Sequence, residues 1–280
     1  MAGKAGAVYE LVVIMPLMKR RGLLVAALGL PALTFAANAG TGPHYSARLI
    51  GGETANGNWR VGLDITLDKG WKTYWRMPGD AGVPPQFDWS RSRNVKSATV
   101  MWPAPGRFID RSGETVGYKD RVVFPVDVIA ADPGRPIELA LAVFLGVCET
   151  ICIPVKLDVA LTQSDPAPAD ASLIAAFAAR VPQRVDAQSR FRVTGASLAG
   201  MGGRYELVLR LAGQGFDREL DIFVEGADFA YFRSPRPASE RGLFNLPIDG
   251  LKEPQKLKGR RLTLTMTAGD IRLEQDVVVD

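Results

Sequence analysis

Two apolar alternations meeting at a tight turn constrain this chain more than any other feature. Ile137, Leu139, Leu141, Val143, Leu145 and Val147 occupy every second position, and so do Ile153, Val155, Leu157, Val159 and Leu161. Period-two patterning sends alternate side chains to opposite faces of a strand. Pairing 147 with 153, 145 with 155, and so on to 139 with 161 gathers all of them on one face. The same register sets Cys148 opposite Cys152 on the other face, with Phe144, Lys156 and Asp158. Opposed antiparallel residues have Cα atoms about 4.5–5.5 Å apart, which is within disulfide reach. The pattern predicts a closable pair at a hairpin tip, on the solvent side.

The tip itself is awkward. A three-residue loop usually wants Gly or Asn in a left-handed position, and Glu149-Thr150-Ile151 offers neither. A β-branched Ile151 there would be strained. Either the turn is wider than this register implies, or it holds strain that eases reduction of the disulfide.

The rest of the chain reads as mainly β. Residues 60–67, 205–211 and 261–266 alternate, and Gly, Pro, Asn and Asp turns separate such runs. Short strands with this punctuation predict sandwiches rather than an α/β fold. Ala268-Gly269-Asp270 predicts the turn of a final hairpin. The Pro- and Ala-rich run 164–170 breaks the pattern, and Leu173, Ile174, Phe177 and Val181 follow at helical spacing. Asp170 or Ser172 would cap that helix and Pro182 would stop it. We expect a β domain over 40–163, a linker with a short helix over 164–185, and a second β domain over 186–280.

Ahead of these lies a basic run, Met18-Lys19-Arg20-Arg21, then an apolar run over 22–35, then Ala37-Asn38-Ala39. That order predicts a cleaved signal peptide over 1–39 and export, with Met18 as a possible true start; an uncleaved anchor is the alternative. The segment holds Lys4, Lys19, Arg20 and Arg21 against Glu10, so it carries three of the four net positive charges. The remainder is nearly neutral, which argues against nucleic acid as a partner. His44 is the only histidine, near the mature N-terminus and expected to be exposed, so a Ser-His-Asp hydrolase or a His-rich metal site is not indicated. We expect neither a metal nor a cofactor.

A dithiol in an exported protein is either a staple or a redox tool. Closing so short a loop constrains the unfolded chain by only about 2 kcal/mol, a weak staple for a chain with two cores. Placement at a hairpin tip favours exchange, because an attacking thiolate must reach a sulfur. Neither cysteine opens a helix, and Glu149 would raise rather than lower a thiol pKa, with Lys156 as a partial offset. On residues alone the two readings stand level.

A resemblance shifts that balance. The run 70–82 (GWKTYWRMPGDAG), Pro84-Pro85-Gln86-Phe87-Asp88-Trp89, Trp102-Pro103-Ala104-Pro105, 117–126 (GYKDRVVFPV) and 147–154 (VCETICIP) together resemble the DsbD-type N-terminal domain family. Within it they are most similar to the ScsB-like periplasmic branch, whose dithiol also has three residues between its cysteines. The motifs cover about 70–155, and the resemblance implies an immunoglobulin-like periplasmic β-sandwich there. The short helix and second β-sandwich-like domain that follow come from the residue pattern, and the second domain is similar only in its general β character. The resemblance implies a thiol–disulfide oxidoreductase of the protein-disulfide reductase type, taking electrons from a membrane-linked donor. The acceptors it implies are thioredoxin-fold isomerases or reductases. Cys152 maps onto the cysteine that forms mixed disulfides and Cys148 onto the resolving one. A capping loop would lie between Phe108 and Tyr118, and Trp71, Tyr74 and Trp75 could wall the site. For each of these three aromatics taken singly, a place in the core or on the sandwich rim is at least as strong a reading.

The family's full reductases carry a transmembrane electron-transfer domain with its own cysteine pair. This chain has two cysteines and, after residue 39, no apolar run approaching the roughly 18 residues of a membrane helix, so the resemblance implies a separate membrane protein as its reductant. The alternative from another class is a non-catalytic periplasmic binding or assembly module with a structural disulfide.

Overall fold

The structure, a computed structural model, describes residues 39–55, 58–79, 82–110, 113–164, 166–186, 188–213, 219–227 and 230–280. The predicted signal segment lies outside the described residues apart from Ala39. In chain order the first strands are β1 (Ala39–Gly42), β2 (Tyr45–Ala55), β3 (Asn58–Leu67), β4 (Lys72–Gly79), β5 (Gln86–Asp88) and β6 (Val95–Val100). Next come β7 (Gly106–Asp110), β8 (Gly113–Lys119), β9 (Arg121–Ala130), β10 (Glu138–Cys148) and β11 (Cys152–Thr162), then helix α1 (Pro168–Ala178). The remainder holds β12 (Gln183–Arg184), β13 (Arg192–Met201), β14 (Arg204–Ala212), β15 (Asp221–Glu225) and β16 (Tyr231–Phe232). It ends with β17 (Arg236–Pro237), β18 (Leu243–Asp249), β19 (Arg261–Ala268) and β20 (Ile271–Val278).

The fold is mainly β and begins as an immunoglobulin-like sandwich. One sheet has the order β1-β2-β3-β9-β6; the facing sheet has the order β11-β10-β4-β8-β7, with β5 also on β10. Between them Leu49, Val61, Leu63, Phe124, Val126, Leu141 and Leu145 form a core with almost no solvent exposure. Each aliphatic side chain so buried contributes roughly 1.5–3 kcal/mol. The β10–β11 register matches the sequence pattern residue for residue, from Leu139 opposite Leu161 to Cys148 opposite Cys152.

The linker helix departs from expectation at its start. Its N-cap is Ala167, with no side-chain cap, and Pro168 occupies the first turn. Proline's fixed φ suits that position, so the helix begins ahead of Asp170 and Ser172. Asp170 instead binds Arg48 at 2.8 Å. Ile174 and Phe177 dock onto the first core. Gly62 makes this possible, because a Cβ there would sit 2.9 Å from Ile174.

Beyond the helix, sheets β12-β20-β19-β15 and β13-β14-β18-β16, with β17 on β18, enclose a second core of Leu207, Leu209, Ile222, Leu246, Leu262, Leu264 and Met266. β12 lies in the predicted linker yet pairs in parallel with β20. The last hairpin turns through Gly269, at φ 55°, and Asp270.

Candidate functional site

Cys148 and Cys152 form a disulfide across the β10–β11 tip, with Cα atoms 4.2 Å apart. The turn closes with a hydrogen bond from the Glu149 N–H to the Ile151 carbonyl at 3.1 Å. Glu149, Thr150 and Ile151 all avoid positive φ, so the strain expected at Ile151 is absent. Ile151 stands 66% exposed at the tip.

The two sulfur-bearing residues differ sharply in exposure. Cys152 is exposed, whereas Cys148 is only 1% exposed. This corrects the expectation that the pair as a whole faces solvent. The face is the predicted one, opposite the core, but β10 is an interior strand. It is flanked by β11 on one side and β4 and β5 on the other, and Cys148 pairs directly with Lys72. β11 is the sheet's edge, so only its cysteine opens outward.

Tyr74 covers this face. Its hydroxyl lies 3.4 Å from the Cys152 Sγ, and since a disulfide sulfur carries no proton, the phenol is the donor. The ring lies along β10 at Gly146, where a Cβ would come within 3.1 Å of it. Burial, helped by the Asp110 carboxylate, pushes the phenol's pKa up, which keeps the donor protonated.

Strand register reveals a residue that sequence reasoning missed. Lys119, Lys72, Cys148 and Cys152 are successive partners across β8, β4, β10 and β11. Cross-strand partners share a face, so two lysines stand in line with the disulfide. The Lys72 side chain is only 4% exposed. Its amine donates to Asp110 at 2.5 Å and to Thr115 at 2.9 Å. The available signal was parity, since Lys72 and Tyr74 alternate within one strand. Lys156, the cation expected from sequence, shares the face but packs beside Phe144, 5.9 Å from its ring centroid. Glu149 leans on the β3–β4 turn, where a Cβ on Gly70 would come 2.8 Å from its carboxylate.

The other aromatic candidates lie elsewhere. Tyr118 is a core residue; its hydroxyl donates to the Pro103 carbonyl at 2.8 Å and its ring meets Phe124 edge-on. Trp71 is buried and stacks on His44 at 3.9 Å, and that histidine keeps 41% of its side-chain surface exposed. Trp75 is 1% exposed and packs against Phe223. Phe108 is half-buried against Gly106, with the Lys119 amine 4.4 Å from its ring centroid. The predicted capping segment is the β7–β8 hairpin, and it reaches the row beside the disulfide through Asp110 on Lys72. The site thus brings together Cys148, Cys152, Tyr74, Lys72 and Asp110.

Gly117 sets the approach of that hairpin. A Cβ there would fall 2.0 Å from the Thr73 carbonyl oxygen and 2.9 Å from the Tyr74 Cα. Only glycine lets β8 lie this close to β4.

Residues 47–164 match the family model described as thiol:disulfide interchange protein DsbD, N-terminal. Among solved structures, the N-terminal periplasmic domain of ScsB from Proteus mirabilis superposes with a TM-score of 0.70 at 22% identity, over 87% of this chain and 97% of that one. No curated protein sequence matches this chain. The Cys148–Cys152 disulfide lies inside the matched segment; residues 47–164 are a DsbD-type N-terminal domain, within a chain that has an ScsB-like fold.

Proposed function

We propose that this is an exported thiol–disulfide interchange protein acting in the periplasm. Its Cys148/Cys152 pair relays reducing equivalents from a membrane-linked donor of the DsbD/ScsB type to thioredoxin-fold disulfide isomerases or reductases. The observation that carries this reading is the asymmetry of the disulfide, with Cys152 exposed at a hairpin tip and Cys148 buried beneath it. Exchange proceeds by attack of a thiolate on a reachable sulfur, and a docked partner can reach only one. In this reading, 40–163 carries the dithiol, 164–185 links, and 186–280 is the second β domain.

The relay runs in two steps. With the pair reduced, the Cys152 thiolate attacks one sulfur of a partner disulfide, and the partner's other cysteine leaves as a thiolate. Cys148, its proton lost to water, then attacks the Cys152 sulfur. The bond to the partner breaks, the partner's second thiolate leaves with the electron pair, and the intramolecular disulfide closes. The partner gains two electrons and this chain loses two. Recharging reverses the sequence, with a donor thiolate attacking Cys152 and displacing Cys148. Tyr74 donates to the Cys152 sulfur throughout, which favours its anionic form as nucleophile and as leaving group.

The test is trapping. Cys148→Ala, expressed in the periplasm, should accumulate covalent adducts through Cys152 with thioredoxin-fold proteins, and reductant should release them. Absence of adducts, together with a reduction potential below about −300 mV, would instead mark a structural disulfide.

A further inference from the structure

The β7–β8 hairpin is gripped from both faces. Asp110 and Thr115 point one way, and both bond to Lys72. Arg107 and Glu114 point the other way, toward the second β unit. The Arg107 side chain is 6% exposed. It holds the Asp221 carboxylate at 2.9–3.1 Å, the Ile222 carbonyl at 2.9 Å and the Tyr231 hydroxyl at 3.0 Å, and it pairs with Glu114.

β15 is built for this contact. Ile222 and Val224 enter the second core, whereas Phe223 joins the first core against Trp75. Asp221 and Glu225 share the parity of Phe223, and they bind Arg107 and Arg76. One strand of the second unit therefore carries a carboxylate, a ring and a carboxylate to β7 and β4, the strands that present Asp110, Lys72 and Tyr74.

We propose that Arg107 is a positioning residue: by tying the β7–β8 hairpin to β15, it holds Asp110 on Lys72 beside Cys148, so that the second β unit sets the redox equilibrium of the dithiol. The proposal rests on the interchange reading only in treating that equilibrium as functional. Without the guanidinium, the β7–β8 hairpin loses its bonds to the Asp221 carboxylate and the Ile222 carbonyl, and the hold that β15 keeps on it is released. Asp110 then leaves Lys72, whose ammonium stays buried in register with Cys148. Among the described residues the other charges on this face near the row are Lys119, against the Phe108 ring, Lys156, beside Phe144, and Glu149, against Gly70, and the substitution leaves all three in place. An unbalanced cation favours the thiolate, hence the reduced pair.

The experiment is equilibration of the full chain with glutathione redox buffers. Arg107→Ala should shift the equilibrium toward the dithiol at least threefold, which is about 14 mV for a two-electron couple. Asp110→Asn should shift it in the same direction, and the double variant should go no further than Asp110→Asn alone, since both act through one contact. Should Arg107→Ala lose its near-ultraviolet circular dichroism, Asp221→Asn reads out the same quantity. A shift below threefold in the folded variants, or full additivity in the double, overturns the proposal. A merely structural arginine would lower Tm and leave the potential in place. The potential is measured without any partner, so a failed trapping experiment and a failed positioning role give different results.

Discussion

Replacing Asp110 with Asn tests whether Lys72 is a buried charge that needs its counterion. Lys72 is 4% exposed and its amine has two named acceptors, Asp110 and Thr115. Removing one partner of a fully buried pair costs about 3–5 kcal/mol, whereas exposed pairs contribute about 0.2–1 kcal/mol. Asp110 is itself 39% exposed, so water recovers part of the loss. The expected cost of Asp110→Asn is then roughly 1–2 kcal/mol, between those limits. Lys72→Met should cost less, roughly 1 kcal/mol or below, because it removes the buried charge and keeps the volume, while the Asp110 carboxylate is already partly in water. The double variant should recover most of the Asp110→Asn loss. Urea titration of the oxidised protein measures this; with m near 3 kcal/mol/M, a loss of 1.5 kcal/mol moves Cm by about 0.5 M. If Asp110→Asn is neutral, or if the double variant is as unstable as the sum of the singles, Lys72 does not depend on Asp110 and the electrostatic account of the row fails.

Two further outcomes follow from burial. After reduction, iodoacetamide should modify Cys152 at least about tenfold faster than Cys148, because attack requires access; equal rates by mass spectrometry would remove the asymmetry on which the relay order depends. Burial drives the Tyr118 phenol's pKa well above its ordinary value, so its neutral form is favoured in the folded protein. The unfolded chain then releases that proton first, and stability falls as pH rises beyond about 10. Tyr118→Phe should cost about 1 kcal/mol near neutrality through the lost bond to Pro103, yet lose less stability than the wild type between about pH 10 and 12; equal alkaline losses would refute this.

Much of the site's frame was legible from the residues. The β10–β11 register follows from period-two alternation, because a slip of one residue would turn every apolar side chain away from the core. Exposure of Cys148 did not follow, since the alternation names a face but not what lies over it. Tyr74 and Trp75 read alike in sequence; one reaches the disulfide and the other the second unit, because neighbouring residues on a strand point oppositely. Tyr118 sits in the core, where Phe124 takes its ring and Pro103 its hydroxyl. Lys72 does not stand out beside its aromatic neighbours, because its importance comes from pairing with Cys148, 76 residues further along the chain. The helix start was misplaced because Asp170 serves Arg48, a long-range partner, rather than its own helix.

Local chemistry settled what neighbouring residues decide: strand periodicity, the pairing of Cys148 with Cys152, the linker helix and the resemblance carried by short motifs. Tertiary structure decided what depends on chain segments far apart in sequence. It made β10 interior and β11 an edge, which buries one sulfur and exposes the other. It laid Tyr74 over Gly146, and it brought Arg107 to Asp221 and Phe223 into the first core. The physical reason is that alternation assigns a side chain to a face, whereas burial and charge pairing are set by whichever distant strand covers that face.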